Sequence, residues 1–249
     1  MKLTVLGSGA VLSRSRACSG FFVESESGNL LVDLGSGSFL NLKKIADVLN
    51  VNTVLFTHYH PDHTSDLAAF IQYKIVAQKL SIVKSLPQLT ILGPKGIDEF
   101  FSKLNEAFPS IKEASFRKIT KELNNSTATV PGFKIRSAQM EHENSIAYRV
   151  EDNSKSVVFS GDTAYNANLI SLARKTDLLV ADCSSPDSAP SAVHMTPSQC
   201  AKIAKEADVK ALLLTHFYPS IESEPIKEIV SSYYRGKVYI ASDLMVLEF

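Results

Sequence analysis

TVLFTHYHPDHTSDLAAF, residues 53–70, decides how the rest of this chain is read. Thr53–Phe56 is a short apolar run of the kind that makes a buried strand. Directly behind it come His58, His60, Asp62 and His63, so three of the chain's six histidines fall within six positions. Thr64 or Ser65 can then cap a helix whose apolar residues Leu67, Phe70, Ile71 and Ile75 share one face. His58 and His60, two apart on an extended segment or tight turn, can aim their imidazoles at a common centre. Neutral imidazole and carboxylate are the donor types that suit zinc, iron or manganese. A lone surface histidine needs no explanation, but HxHxDH at the end of a buried strand points to a metal site.

Working outward, the N-terminal third reads as strands at Lys2–Leu6, Phe21–Glu24 and Asn29–Asp33, separated by Gly/Ser-rich turns. A helix is expected over Leu40–Leu49, a strand at Leu89–Leu92 and a helix over Gly96–Ala107. In the second half, Ser145–Val150 and Ser156–Ser160 flank Asp152-Asn153-Ser154-Lys155, a good hairpin turn. A short helix near Asn168–Arg174 leads to a strand at Leu178–Ala181. Thr196-Pro197-Ser198-Gln199 forms a capping box with proline at the first helical position. The helix it opens presents Cys200, Ile203, Ala204 and Ala207 to the core. Ala211–Leu214, Lys237–Ile240 and Met245–Leu247 complete the strands. Leu55–His58 (LFTH) is echoed by Leu213–His216 (LLTH), each ending an apolar strand in Thr-His. No linker divides the chain, so 1–249 is expected to be one domain of two similar α/β halves.

The other three histidines are His142, in MEHENS, His194, and His216, at the second Thr-His. Asp162, in VVFSGDT, also lies just past an apolar strand. Each taken singly is an ordinary loop or turn residue. Together they supply a second set of donors at strand ends, where a rigid sheet can present chemistry.

Composition narrows the function classes. Apolar residues make up 45% and charged residues 21%, and Lys+Arg and Asp+Glu balance at 26 each. Nothing in those totals marks a nucleic-acid coat or a membrane-surface binder. The run before Gly7 is too short for the core of a signal peptide, and no stretch approaches the roughly 20 apolar residues that span a bilayer. Cys18, Cys183 and Cys200 are odd in number and lack CxxC spacing, which argues against a disulfide framework. A soluble cytoplasmic protein is expected; a homodimer is allowed.

The order HxHxDH, His142, Asp162 in SGDT, then His216 resembles the metallo-β-lactamase superfamily, from Gly7 almost to the C-terminus. The resemblance implies a four-layer αββα sandwich of mostly antiparallel or mixed sheets, with two divalent metal ions at one edge, zinc first and manganese or iron as alternatives. Carried over, His58, His60 and His142 would bind one ion, Asp62, His63 and His216 the other, and Asp162 would bridge them. With His63 present and no ligand cysteine, the set resembles the phosphodiesterase-like branches more than the antibiotic-degrading one. Gly7-Ser8-Gly9 fits the turn that ends the first strand in this family, as a plain tight turn or a substrate contact. Leu12 stands where a dinucleotide fingerprint needs glycine.

His194, in HMTPSQ, resembles the His-x-Thr that precedes the same helix in ribonuclease Z, the tRNA 3′-processing branch. There the histidine contacts the scissile phosphate and protonates the leaving oxygen. Asp182, in VADCSS, stands where that branch has a glutamate orienting the histidine. The resemblance implies attack by a metal-bridging hydroxide, with His194 as general acid and Asp62 helping to orient the nucleophile. One departure matters: many ribonucleases Z carry a long tRNA-gripping arm between the equivalents of His142 and Asp162, and here a single hairpin separates them. No Lys/Arg run replaces the arm, although phosphate contacts normally dominate RNA affinity. A small or cyclic phosphodiester is therefore favoured over RNA as the partner. The phosphonate-pathway cyclic phosphodiesterases share the armless core, but their cysteine-rich metal site has no counterpart around Cys18. Two other classes stay open: a metallohydrolase of thioesters, lactones or sulfate esters, and a non-catalytic metal- or partner-binding member.

Overall fold

Strands buried on both faces read as near-continuous apolar runs, because neither face meets water. The computed structural model describes residues 1–249 and arranges such strands in two sheets. The first holds β1 (Lys2–Gly7), β2 (Gly20–Ser25), β3 (Gly28–Leu34), β4 (Thr53–Leu55), β5 (Leu89–Gly93) and β6 (Lys118–Glu122). The second holds β7 (Thr127–Val130), β8 (Phe133–Gln139), β9 (Ile146–Glu151), β10 (Ser156–Phe159), β11 (Leu178–Asp182), β12 (Ala211–Thr215) and β13 (Lys237–Ile240). The last strand, β14 (Val246–Glu248), returns to the first sheet and pairs antiparallel with β1.

Both sheets follow one plan. β1–β3 and β7–β10 are antiparallel, whereas β3–β6 and β10–β13 are parallel. The sheets are thus evenly mixed rather than mostly antiparallel. Parallel neighbours need a long crossover, and helices supply most of them. α1 (Ser38–Ile45), α2 (Pro61–Thr64), α3 (Leu67–Lys79) and α4 (Ile97–Ala107) serve the first sheet. α5 (Ala167–Ala173), α6 (Pro197–Glu206) and α7 (Ile226–Ser231) serve the second.

Successive residues of a strand point to opposite faces, so one strand feeds two apolar layers. Phe21 and Val23 of β2 join the core shared with the second sheet, where the Phe21 and Phe159 rings lie 5.3 Å apart. Phe22 joins the other core, with Phe39 of α1 and Phe70 and Ile71 of α3. The result is the expected four-layer αββα order. No helix is long and apolar enough to cross a membrane.

Several local expectations hold. Thr196 and Gln199 make the reciprocal capping box, and Cys200, Ile203, Ala204 and Ala207 are fully buried. Asp152 closes the β9–β10 hairpin by accepting the Ser154 and Lys155 N–H groups at 2.8 and 2.7 Å. Others change. The helix expected over 40–49 stops at Ile45, and Val48–Asn50 is a separate 3₁₀ turn capped by Asp47. Pro61 starts a helical turn early, so Thr64 and Ser65 do not cap α3. The Thr64 hydroxyl turns back to the His60 carbonyl, and Asp66 occupies the cap position but accepts the Phe39 N–H instead. Strands β6, β7 and β8 have no counterpart in the sequence reading. Their exposed positions carry charged and polar residues that hide the apolar signal.

Candidate metal centre

The exits of β3, β4, β10, β11 and β12 converge at one end of the sandwich. Close approach there depends on glycine. Gly161 adopts a left-handed φ of 57° just before Asp162, and a Cβ on it would lie 2.8 Å from that of Thr57. A Cβ on Gly35 would run into the Asp62 carbonyl, so its absence lets α2 settle beside β3. Asp33 and His216 are also left-handed, at φ 57° and 62°. For a non-glycine residue such a conformation costs of order 1–3 kcal/mol and persists only where the surroundings over-determine it.

Three groups of candidate donors form there, the atoms of each within 4.8 Å of one another: His58, His60, His142 and Asp162; Asp62, His63 and His216; and Asp162, Asp182, His194 and His216. Every metal-ligating and catalytic candidate named from the sequence is among them. Asp162 lies in the middle. Its Oδ2 is 3.6 Å from His58 Nε2, and its Oδ1 is 3.3 Å from His63 Nε2 and 3.5 Å from His216 Nδ1. The His142 and His194 rings are 5.5 Å apart, and those of His194 and His216 5.6 Å.

Two buried carboxylates orient these imidazoles. Asp33 Oδ2 accepts from His63 Nδ1–H at 2.7 Å and from the Thr57 hydroxyl at 2.9 Å. The Thr57 oxygen lies 3.1 Å from His58 Nδ1. Asp182 Oδ2 accepts from His194 Nδ1–H at 2.8 Å and from the Thr163 N–H. Its Oδ1 accepts from the Ser184 hydroxyl, whose oxygen is 2.9 Å from His216 Nδ1. With Nδ1 bonded in this way, the free lone pair of a neutral ring sits on Nε2, the arrangement usual for metal-binding histidine.

The donor set fits a cation. His58 Nε2 and His142 Nδ1 are buried without any hydrogen-bond partner. An orphaned buried polar atom costs about 1–3 kcal/mol, which coordination would relieve. Charge balance in the metal-free chain agrees. Burial and the neighbouring His63 drive His58 down to about 2, so it is neutral. Burial opposes charge on His63 too, but Asp162 and Asp33 prevail and raise it to about 10. Burial likewise works against a charged His216, yet Asp162 and Asp182 hold its pKa well above the usual histidine value. Burial would raise Asp62, but its hydrogen bond from His216 and the charge of His63 bring it to about 2. The metal-free centre thus favours protonated His63 and His216, and a cation bound through these rings would displace those protons.

The Gly7–Gly9 turn also reaches the centre. Ser8 is pinned by Asp243, and a little further on the Val11 N–H donates to Asp62 Oδ2 at 3.1 Å. The sequence reading missed Asp33, Thr57, Ser184 and Tyr218, whose ring centroid lies 5.9 Å from those of both His194 and His216. Asp33 carried a usable signal, an acid closing an apolar strand as Asp162 nearly does. The two hydroxyls carried none.

Comparison with known proteins agrees with this architecture. The Probable metallo-hydrolase YhfI of Bacillus subtilis is 29% identical over 255 residues, covering 100% of each chain. The crystal structure of YhfI superposes with a TM-score of 0.89, covering 100% of this chain and 99% of that one. Ribonuclease Z of Clostridium tetani is 27% identical over 285 residues, spanning 88% of this chain and 89% of that protein. Human tRNase Z, short form, shares the fold with a TM-score of 0.79 at 22% identity, over 100% and 99% of the two chains. Residues 29–217, which carry all seven candidate metal-ligand positions, match the family described as the Beta-lactamase superfamily domain, and the chain belongs to the metallo-β-lactamase superfamily.

Proposed function

We propose that this chain is a dinuclear metal-dependent hydrolase of small or cyclic phosphodiesters. His58, His60 and His142 would hold one cation, Asp62, His63 and His216 the other, and Asp162 would contact both. Zinc is the first candidate, with manganese or iron as alternatives, because the donors are imidazole and carboxylate alone. Cations bound there would supply positive charge to a phosphoryl oxygen and bring the pKa of a water toward neutrality. The observation that carries the reading is the central place of Asp162, between His58 on one side and His63 and His216 on the other.

The chain's own residues supply the rest. Burial works against a charged His194, but Asp182 outweighs it and raises the pKa, so the ring keeps a proton to give. With Nδ1–H held by Asp182, Nε2–H is the proton available to a departing alkoxide. The absence of an arm favours a small substrate. Between His142 and Asp162 lies only the β9–β10 hairpin. The alignment with Clostridium tetani ribonuclease Z runs over 285 positions, more than this whole chain, so that enzyme has residues without a counterpart here.

The test is a metal-loaded preparation assayed side by side on an activated aryl diester, cyclic nucleotides, precursor tRNA, thioesters and lactones. Elemental analysis should approach two transition-metal ions per chain, and both diester classes should turn over with weak or no tRNA cleavage. His194→Ala should keep both metals and lose turnover of poor leaving groups most; loss of metal would make His194 a ligand. Efficient site-specific tRNA cleavage with little action on small diesters would overturn the substrate class. Full activity after Asp162→Ala would overturn the dinuclear site.

A further inference from the structure

We propose that Ser184 is a positioning residue, which fixes the tautomer of His216 and joins that imidazole to the carboxylate holding His194. The proposal deepens the dinuclear reading and rests on it for the roles of the two histidines.

Ser184 is buried just past the end of β11, beside the strand that delivers His216. Its oxygen touches three groups: it donates to Asp182 Oδ1, stands 2.9 Å from His216 Nδ1, and lies 2.8 Å from the His216 carbonyl. A hydroxyl has one proton and two lone pairs. Asp182 and the carbonyl are both acceptors, so whichever takes the proton, the side facing Nδ1 is a lone pair. Once the ring is neutral, His216 must then keep its proton on Nδ1, which turns the Nε2 lone pair toward Asp62 Oδ2, at 3.3 Å, and His63 Nε2, at 3.2 Å. That is the atom a cation at the Asp62–His63 position would use. The carbonyl contact also braces His216 in its left-handed conformation.

The same carboxylate serves His194 through its other oxygen. Ser184 therefore links a candidate ligand to the candidate acid through one rigid group, and a disturbance at the hydroxyl should reach both. The first half repeats the device independently, with Thr57 between Asp33 and His58. Outer partners of this kind typically change metal affinity about 10–100-fold when removed.

The deciding comparison is Ser184→Thr against Ser184→Val in the full-length, metal-loaded chain, since the two side chains match in shape and differ in the hydroxyl. Three quantities are read: zinc affinity by chelator competition, the visible spectrum of the cobalt-substituted protein, and kcat across aryl diesters of rising leaving-group pKa. Ser184→Thr should track the wild type. Ser184→Val should bind one of its two ions about 10–100-fold more weakly, shift the cobalt spectrum, and fall off more steeply with leaving-group pKa. If the added methyl unfolds both variants, Ser184→Ala against the wild type makes the same comparison. Equal affinity, spectrum and leaving-group dependence with and without the hydroxyl would overturn the role of Ser184 alone. A wild type that takes up no transition metal would overturn the dinuclear reading and this proposal with it.

Discussion

Asp33 and Asp182 close central strands of the two sheets, and each holds one imidazole directly and a second through a hydroxyl. Asp33 serves His63 and, through Thr57, His58. Asp182 serves His194 and, through Ser184, His216. The difference lies in what is held. Both imidazoles on Asp33 are candidate ligands, and both are almost wholly buried. On Asp182 one is a candidate ligand, and the other, His194, is partly open. On the proposed assignment, the same local design appears once committed wholly to metal binding and once divided between metal binding and proton transfer.

The largest expected effect would come from Asp33→Ala. It strands His63 Nδ1–H and the Thr57 N–H and hydroxyl in a site closed to water. Removing one partner of a buried charged pair costs about 3–5 kcal/mol, to be read by urea unfolding, and metal content should fall with it. Stability within the error of the wild type and full metal occupancy would break the comparison on its first side. Asp182→Asn should behave differently. Its amide can still accept from Ser184 but cannot accept from His194 as well on the side it turns to NH₂. Metal content should stay close to two ions per chain if the dinuclear site is correct. Turnover of poor leaving groups should drop on the order of 10²–10⁴-fold. Metal loss as severe as in Asp33→Ala would mean that the two carboxylates do one job.

The helices behind the sheets offer a third contrast. α6 buries cysteine, isoleucine and alanine, whereas α3 buries Lys74, whose ammonium donates to the Leu49 carbonyl and Asn52 Oδ1 at 3.1 and 3.2 Å. Burial lowers its pKa to about 8 from 10.5. Between those values the unfolded chain binds a proton that the folded chain lacks, so stability rises with pH across that window. Below pH 8 both states are protonated and the folded state bears the full cost. Compared with Lys74→Met, the wild type should therefore gain up to roughly 3 kcal/mol between pH 8 and 10.5 in denaturant titrations. A gap between the two proteins that stays constant with pH would mean that the ammonium is not held in the core as described. The smallest effect is expected at the β9–β10 turn, where Asp152→Ala should cost about 1 kcal/mol by losing its caps on two backbone N–H groups. Metal content should not change.

How much of this was legible follows from distance along the chain. Four of the seven ligand candidates were, because HxHxDH packs them into six consecutive positions behind an apolar run, whereas His142, Asp162 and His216 are assigned only through the family resemblance. The capping box and the Asp152 turn were legible for the same reason. The outer partners were not. Asp33 and Thr57 are 24 residues apart, and Ser184 and His216 are 32 apart. They meet only because β3 lies beside β4 and β11 beside β12. The Thr-His echo even misdirects: Thr57 supplies the hydroxyl for His58, yet the one beside His216 comes from Ser184 and not from Thr215.

By itself the sequence determined which donor types exist, that they follow buried strands, and that the two halves are built alike, since side-chain chemistry and apolar periodicity are local properties. Tertiary structure alone decided which carboxylate faces which imidazole, and therefore which ring nitrogen is free. Those choices depend on strand order and on left-handed turns at Asp33 and His216, which are stable only once the two sheets have closed around them.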